Sequence, residues 1–223
     1  GFEDGFFFEP EILVTLKGQT LTIESDSENH ASVFEAIDTQ PAIITKKIST
    51  SVRIQHTETR EQYLEKIASL KRHIQRGDCY EINYCQAFFA EDATIDPLYL
   101  YDALTSVSPN PFAAMYKLND RYCLCASPER FIKKTGQLVI SQPIKGTSKR
   151  SLSDSLADIQ SKEQLLKSEK DKTENVMIVD LVRNDLSRIC TEGSVKVQEL
   201  FGIYSFPQVH QMISTIEGKV SPA

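Results

Sequence analysis

Between Phe112 and Ser141 the chain alternates short β-favouring runs with turn residues. Phe112 to Leu118, Arg121 to Ala126, Arg130 to Lys134 and Gln137 to Ser141 are separated by Asn119-Asp120, by Ser127-Pro128-Glu129 and by Thr135-Gly136. Connections this short cannot carry the crossover that parallel strands require, so the runs must pair antiparallel. The pattern predicts a β meander with antiparallel pairing.

Helical signals flank this block. Tyr63, Ile67, Leu70 and Ile74 recur at helical spacing between Arg60 and Arg76, and Gly77 is placed to end the helix in a left-handed conformation. Pro97 after Asp96 marks a second start. Ser153 to Ser187 is strongly helical with a break expected near Ser168. Further strands are expected at Ile12 to Leu16 and Thr20 to Ile23 around Gly18, and at Ala42 to Thr45. Strands are also expected at Cys79 to Phe89 and Val195 to Phe201, while Pro207 to Ala223 mixes strand and turn residues. Ser25 to Asn29 reads as a polar turn. Helices and strands come in blocks, which makes the class α+β, with mainly antiparallel sheets packed by outer helices.

Composition narrows the partners. Lys and Arg number 25 against 31 Asp and Glu, a formal net charge of −6. No basic footprint for nucleic acid is present, and no apolar run is long enough for a membrane-spanning helix. Gly1-Phe2-Glu3-Asp4 has neither the basic nor the apolar region of a secretory signal. The five cysteines show no CxxC spacing and read as reduced, cytoplasmic hydrophobes.

Four segments carry side chains suited to chemistry. Glu129 sits in a turn within Ser127-Pro128-Glu129-Arg130-Phe131. Lys145 follows a proline in Gln142-Pro143-Ile144-Lys145-Gly146-Thr147, where glycine allows close backbone approach, threonine offers a hydroxyl and lysine is a nucleophile or a cation. On a helix, Asp171, Glu174, Ile178 and Leu181 share one face, so a carboxylate pair precedes an apolar stripe expected to be buried. His210, in Val209-His210-Gln211-Met212-Ile213-Ser214, reads by itself as a core histidine with its hydrogen bonds satisfied. No Gly-rich phosphate loop, GxSxG elbow or HExxH occurs.

In this order, Ser-Pro-Glu-Arg-Phe, Pro-Ile-Lys-Gly-Thr, Lys170-Asp171-x-x-Glu174-Asn175-x-Met177-Ile178-Val179-Asp180-Leu181-x-Arg183-Asn184-Asp185-Leu186 and His210-Gln211-Met212-Ile213-Ser214 resemble the chorismate-utilising enzyme family. The resemblance runs from about residue 60 to the end. It implies one chorismate-binding domain over residues 1–223, with 60–223 its core and 1–59 less characteristic N-terminal strands. The family pattern continues past Ser214-x-x-x-Gly218 with a Gly-rich loop, a second acidic pair and an arginine for the substrate carboxylate, so the chain is expected to be incomplete at its C-terminus.

The resemblance also assigns roles. Members that form 4-amino-4-deoxychorismate carry lysine at the Lys145 position, whereas anthranilate-forming members carry alanine. It therefore implies amination of chorismate with ammonia, a step toward 4-aminobenzoate and folate, with ammonia delivered by a glutamine amidotransferase subunit. Lys145 would attack C2, Glu129 would protonate the departing C4 hydroxyl, and His210 would sit near that hydroxyl or the ring. Gly146 and Thr147 would hold the ring carboxylate. Glu174, with Asp171 beside it, would bind Mg²⁺, which suits hard oxygen ligands. Anthranilate synthesis and a non-catalytic chorismate- or partner-binding fragment are the alternatives. Water-using members carry a lysine base where this chain has Glu81, which disfavours hydration. Ser108-Pro109-Asn110-Pro111-Phe112 resembles, in a different order, a segment that lines a tryptophan pocket in feedback-inhibited members.

Overall fold

A computed structural model describes residues 5, 8–26, 29–41 and 52–222. Among these the elements run β1 (Ile12–Lys17), β2 (Thr20–Ser25), α1 (His30–Asp38), β3 (Gln55–His56), α2 (Arg60–Arg76), β4 (Phe88–Phe89) and α3 (Pro97–Val107). They continue as β5 (Phe112–Leu118), β6 (Arg121–Ser127), β7 (Arg130–Thr135), β8 (Leu138–Gln142) and β9 (Ile144–Lys149). Two helices and two strands follow: α4 (Ser155–Lys167), α5 (Glu169–Ser187), β10 (Lys196–Ser205) and β11 (Val209–Lys219). The strand expected at Ala42 to Thr45 lies outside the described residues. All strand pairings between these elements are antiparallel, as the short turns require. No helix among the described residues is long and apolar enough to cross a membrane.

The chain divides into two compact units, Gly1–Ile44 with Leu100–Ala223, and Thr45–Tyr99. In the smaller unit α2 is well capped. The Thr59 hydroxyl accepts from the Gln62 N–H while the Gln62 side chain accepts from the Thr59 N–H, and Gly77 ends the helix at φ 81°. The strand expected over Cys79 to Phe89 is reduced to Phe88–Phe89, paired with β3. Its preceding residues are held by side chains rather than by a ladder. Tyr84 donates to the Glu58 carboxylate at 2.6 Å, and Gln86 Nε2 donates to the Glu58 carbonyl at 2.9 Å.

The expected meander is two hairpins in two sheets. β5 pairs β6 through a turn at Asn119, which takes the left-handed φ of 56°. β7 pairs β8, but β6 and β7 do not pair with each other. Ser127-Pro128-Glu129 prevents it. Proline gives the ladder no donor, and the Ser127 hydroxyl takes the Glu129 N–H at 3.2 Å, locking a local turn instead.

The larger sheet has the order β10-β11-β8-β7, with β9 also on β11. Its centre is β11, an eleven-residue strand where sequence reading expected a mixed tail. Strands β9 and β8 pair with successive stretches of it, around Val209–Ile213 and Ile216–Lys219, and the break between them falls at Pro143. One face of β11 carries His210, Met212, Ser214 and Ile216, all buried, and meets helices α4 and α5. Ile216, Val139, Val179 and Leu186 form the core cluster, with Val182, Cys190, Val195 and Val220 packed against it. Complete burial of each such aliphatic side chain contributes roughly 1.5–3 kcal/mol.

Helices α4 and α5 break where expected, since the Ser168 hydroxyl accepts the Asp171 N–H at 3.3 Å and caps α5. The buried face of α5 differs from expectation. Asn175, Val179 and Leu186 are buried and Val182 packs beside them, while Leu181 is 45% exposed. Asp171, four residues before Asn175, leads into the buried stripe, while Glu174 flanks it.

Candidate active site

Pro143 interrupts the strand path and leaves the next backbone N–H available. Glu129 takes it: its Oε1 accepts from the Ile144 N–H at 2.9 Å. The turn at Ser127-Pro128-Glu129 and the β8–β9 junction are thereby tied, and a carboxylate is fixed one residue from Lys145. A cleft of about 370 Å³ opens here, lined by Glu129, Phe131, Pro143, Ile178 and Val182 among others. Its α5 wall begins one helical turn beyond Glu174.

At Lys145 the ladder is irregular. Thr147 faces Gln211 and Ile144 faces Ile213, so Met212 alone opposes both Lys145 and Gly146. This two-against-one arrangement is a β-bulge, which re-aims side chains and frees Lys145 from strict alternation with Gly146. Gly146 has φ 95°, and a Cβ placed there would lie 2.9 Å from the Asp171 Cβ and 3.2 Å from its Cγ. Only glycine allows the strand to approach the first turn of α5 this closely. Lys145 and Gly146 are both half-buried, whereas Thr147 is exposed.

The two acidic residues differ in their surroundings. Asp171 is half-buried against Gly146. Glu174, one turn along, has a side chain 44% exposed and pairs with Lys170 at 3.6 Å. Among the described residues no group of three or more His, Cys, Asp and Glu side chains is placed to hold a metal ion. The donor set at this place is the two carboxylates.

His210 stands apart, at the far end of β9. It is 2% exposed, with Nδ1 2.8 Å from the Ser205 hydroxyl and Nε2 3.2 Å from Asp158 Oδ1. Asp158 is ionised: hydrogen bonds from Arg150, then from the Ser151 N–H, hold its pKa down at about 2. A carboxylate only accepts, so Nε2 carries the hydrogen and, in the neutral ring, Nδ1 accepts from Ser205. Both ring nitrogens are thus engaged, as in a satisfied core histidine.

Geometry therefore brings Glu129 to the residue before Lys145 and Asp171 against Gly146, places Glu174 one turn away and Thr147 exposed beside Gly146, and leaves His210 at the far end of β9. Sequence reading missed Asn175, the one buried polar residue of α5. Its signal was an amide at the centre of a helical stripe otherwise made of Val179, Val182 and Leu186. A second cavity, about 250 Å³, is lined by Ser108, Pro109 and Asn110 with Gln211, whose Oε1 is buried without a hydrogen-bond partner.

Known proteins resemble this chain in sequence and in fold. The chain is 42% identical over 162 residues to aminodeoxychorismate synthase component 1 of Salmonella typhimurium, covering 73% of this chain and 35% of that protein. It is 33% identical over 178 residues to anthranilate synthase component 1 of Thermus thermophilus, covering 80% and 38%. The crystal structure of anthranilate synthase component I from Streptococcus pneumoniae superposes with a TM-score of 0.75 at 22% identity, over 92% of this chain and 47% of that one, which shows a common fold. The chain spans about a third of the length of these curated relatives. The sequence pattern of the chorismate binding enzymes matches residues 2–223, and the chain belongs to that family.

Proposed function

We propose that this chain is part of an enzyme that aminates chorismate to 4-amino-4-deoxychorismate. The observation that carries the reading is the anchoring of the Glu129 carboxylate on the Ile144 N–H, one residue along the chain from Lys145 on its bulge. Anthranilate synthesis by direct addition of ammonia needs no lysine at this place. The 42% identity to an aminodeoxychorismate synthase component points the same way.

Lys145, as the neutral amine, forms a bond to C2 while the ring double bonds shift and the C4–O bond breaks. Glu129 gives its proton to the departing hydroxyl, which leaves as water. Ammonia then bonds to C4, the double bonds shift back and the C2–N bond breaks. Lys145 returns as a free amine, and the proton shed by the ammonium product goes to Glu129 or solvent. Gly146 would hold the ring carboxylate through its backbone N–H. Thr147 would join it only from an adjusted conformation.

Asp171 and Glu174 suit Mg²⁺, which accepts one or two carboxylates and completes its shell with water and substrate oxygens. Bound there, the ion would neutralise the ring carboxylate and draw electron density from the ring. Asp171 would keep the acidic turn pressed on Gly146, and Glu174 would leave Lys170 to act as a ligand. His210 would hold the β9–β11 end of the sheet through Asp158 rather than touch substrate. Ammonia would come from a glutamine amidotransferase subunit.

Product identification tests this. The full-length protein, given chorismate, Mg²⁺ and ammonium, should release 4-amino-4-deoxychorismate, recognised by mass and chromatography. Release of anthranilate alone would overturn the reading.

A further inference from the structure

We infer that Asn175 is a positioning residue that couples the metal-binding turn of α5 to the bulge carrying Lys145, an inference that rests on the function proposed above. Asn175 is 1% exposed and follows Glu174 directly. Its Nδ2 donates to the Met212 carbonyl at 3.4 Å, and its Oδ1 accepts from the Ser214 hydroxyl at 2.5 Å. The Ser214 oxygen in turn accepts from the Phe201 N–H at 3.1 Å. Met212 is the single residue that opposes Lys145 and Gly146 across the bulge. One amide therefore bonds the strand at the residue where the ladder is broken, and it sits on the helix beside the carboxylate proposed to bind Mg²⁺.

The geometry fixes the orientation of the amide. Phe201, at φ 61°, directs its N–H to Ser214, so the Ser214 hydroxyl hydrogen is left for Asn175 Oδ1. Nδ2 must then face Met212. A helix held only by Val179, Val182 and Leu186 could slide along the apolar face of β11 with little change in contact. A directional two-way amide cannot slide, and it sets where Asp171 meets Gly146. Packing alone would make Asn175 a stability residue; its bonds to Met212 at the bulge and to Ser214 beyond it make it a register residue.

The test uses the full-length protein with Asn175→Ala and with Ser214→Ala, which removes only the hydroxyl. Two readouts are taken: backbone hydrogen exchange of the 143–149 peptide, and the Mg²⁺ concentration for half-maximal turnover at saturating chorismate. Asn175→Ala should speed exchange in 143–149 about tenfold and raise the Mg²⁺ requirement about ten- to a hundredfold, the usual cost of losing a residue that orients a ligand. The KM for chorismate should change less than the Mg²⁺ requirement. Ser214→Ala should move both readouts the same way by a smaller factor, and it carries the test if Asn175→Ala does not fold. Unchanged exchange in 143–149 in a folded variant, or an unchanged Mg²⁺ requirement with only a lower melting temperature, would overturn the inference. Faster exchange in a protein whose parent makes no 4-amino-4-deoxychorismate would uphold the coupling and reject the proposed reaction.

Discussion

The Glu129 carboxylate accepts the Ile144 N–H at 2.9 Å, across fifteen residues of chain. Two events in the sequence create this bond. Pro128 ends β6 and turns the chain so that Glu129 projects from the start of β7. Pro143 ends β8 and frees the Ile144 N–H that a continuous strand would have spent on its neighbour. A carboxylate placed this way is held by backbone rather than by another side chain.

Glu129→Gln tests the acid without moving the anchor. Glutamine keeps an oxygen for the Ile144 N–H and cannot give up a proton. Turnover should fall by about 10²–10⁴-fold, the usual contribution of a positioned acid. The urea midpoint should stay close to the parent's. A large stability loss with little loss of rate would make Glu129 a structural anchor alone.

Lys145→Ala removes the proposed nucleophile from a half-buried bulge position. Formation of 4-amino-4-deoxychorismate should become undetectable while cooperative unfolding persists. Residual turnover should release anthranilate-type product, from ammonia adding at C2 directly. The same product at the parent rate would exclude covalent participation of Lys145.

Some of this was legible from the residues and some was not, for physical reasons. Helix α2 announced itself because its stripe is narrow and Gly77 closes it, and α5 because Ser168 caps it. β11 did not, because alternation marks only strands with one wet face. Strand β11 has neighbours along both edges and helices on one face, and Val209 to Ser214 mixes apolar and polar residues on both faces. The acidic face of α5 was misjudged for a related reason. Asp171, Glu174, Ile178 and Leu181 have helical spacing, yet the face that buries is centred on an asparagine. The sheet supplies Asn175 with two partners that no spacing rule could foresee. His210 in isolation reads as a satisfied histidine and the resemblance points it to the reacting ring; in the structure Ser205 and Asp158 stand at its two nitrogens.

Asp158 gives a pH prediction. Its carboxyl is held down at about 2 from an ordinary 3.8, chiefly by Arg150, whose Nη2 lies 2.9 Å away. A depressed carboxylate pKa stabilises the fold fully above the unfolded value, and that stabilisation is lost as pH falls through the folded value. The urea midpoint of the parent should therefore drop between about pH 4 and about pH 2 with a component that Asp158→Asn lacks. Identical acid profiles in the two proteins would remove Asp158 from the account.

Glu174→Gln separates ligand from helix-end charge. Glu174 pairs with Lys170 across one turn of exposed helix, at 3.6 Å, an interaction worth about 0.3–0.5 kcal/mol. Folding should barely change. If Glu174 binds Mg²⁺, half-maximal turnover should need far more Mg²⁺ than in the parent. An unchanged Mg²⁺ dependence would leave the carboxylate with a role only at the positive end of α5.

Gly146→Ala is the most stringent test of the close approach. A methyl group at this position would meet the Asp171 side chain at 2.9 Å, and the backbone is at φ 95°, where an L side chain is strained. The strain alone should cost about 1–3 kcal/mol, visible as a lower urea midpoint. The clash adds a directional effect, because Asp171 belongs to the first turn of α5 and can yield only by moving that turn off the bulge. The variant should therefore need more Mg²⁺ as well as less denaturant. Pairing it with Asp171→Gly, which removes the obstructing Cβ together with the carboxylate but not the strain at residue 146, should restore part of the stability, measured against Asp171→Gly alone, and none of the metal affinity. Full recovery of the urea midpoint in the double variant would show that backbone strain at residue 146 is negligible and that contact with Asp171 alone demands glycine.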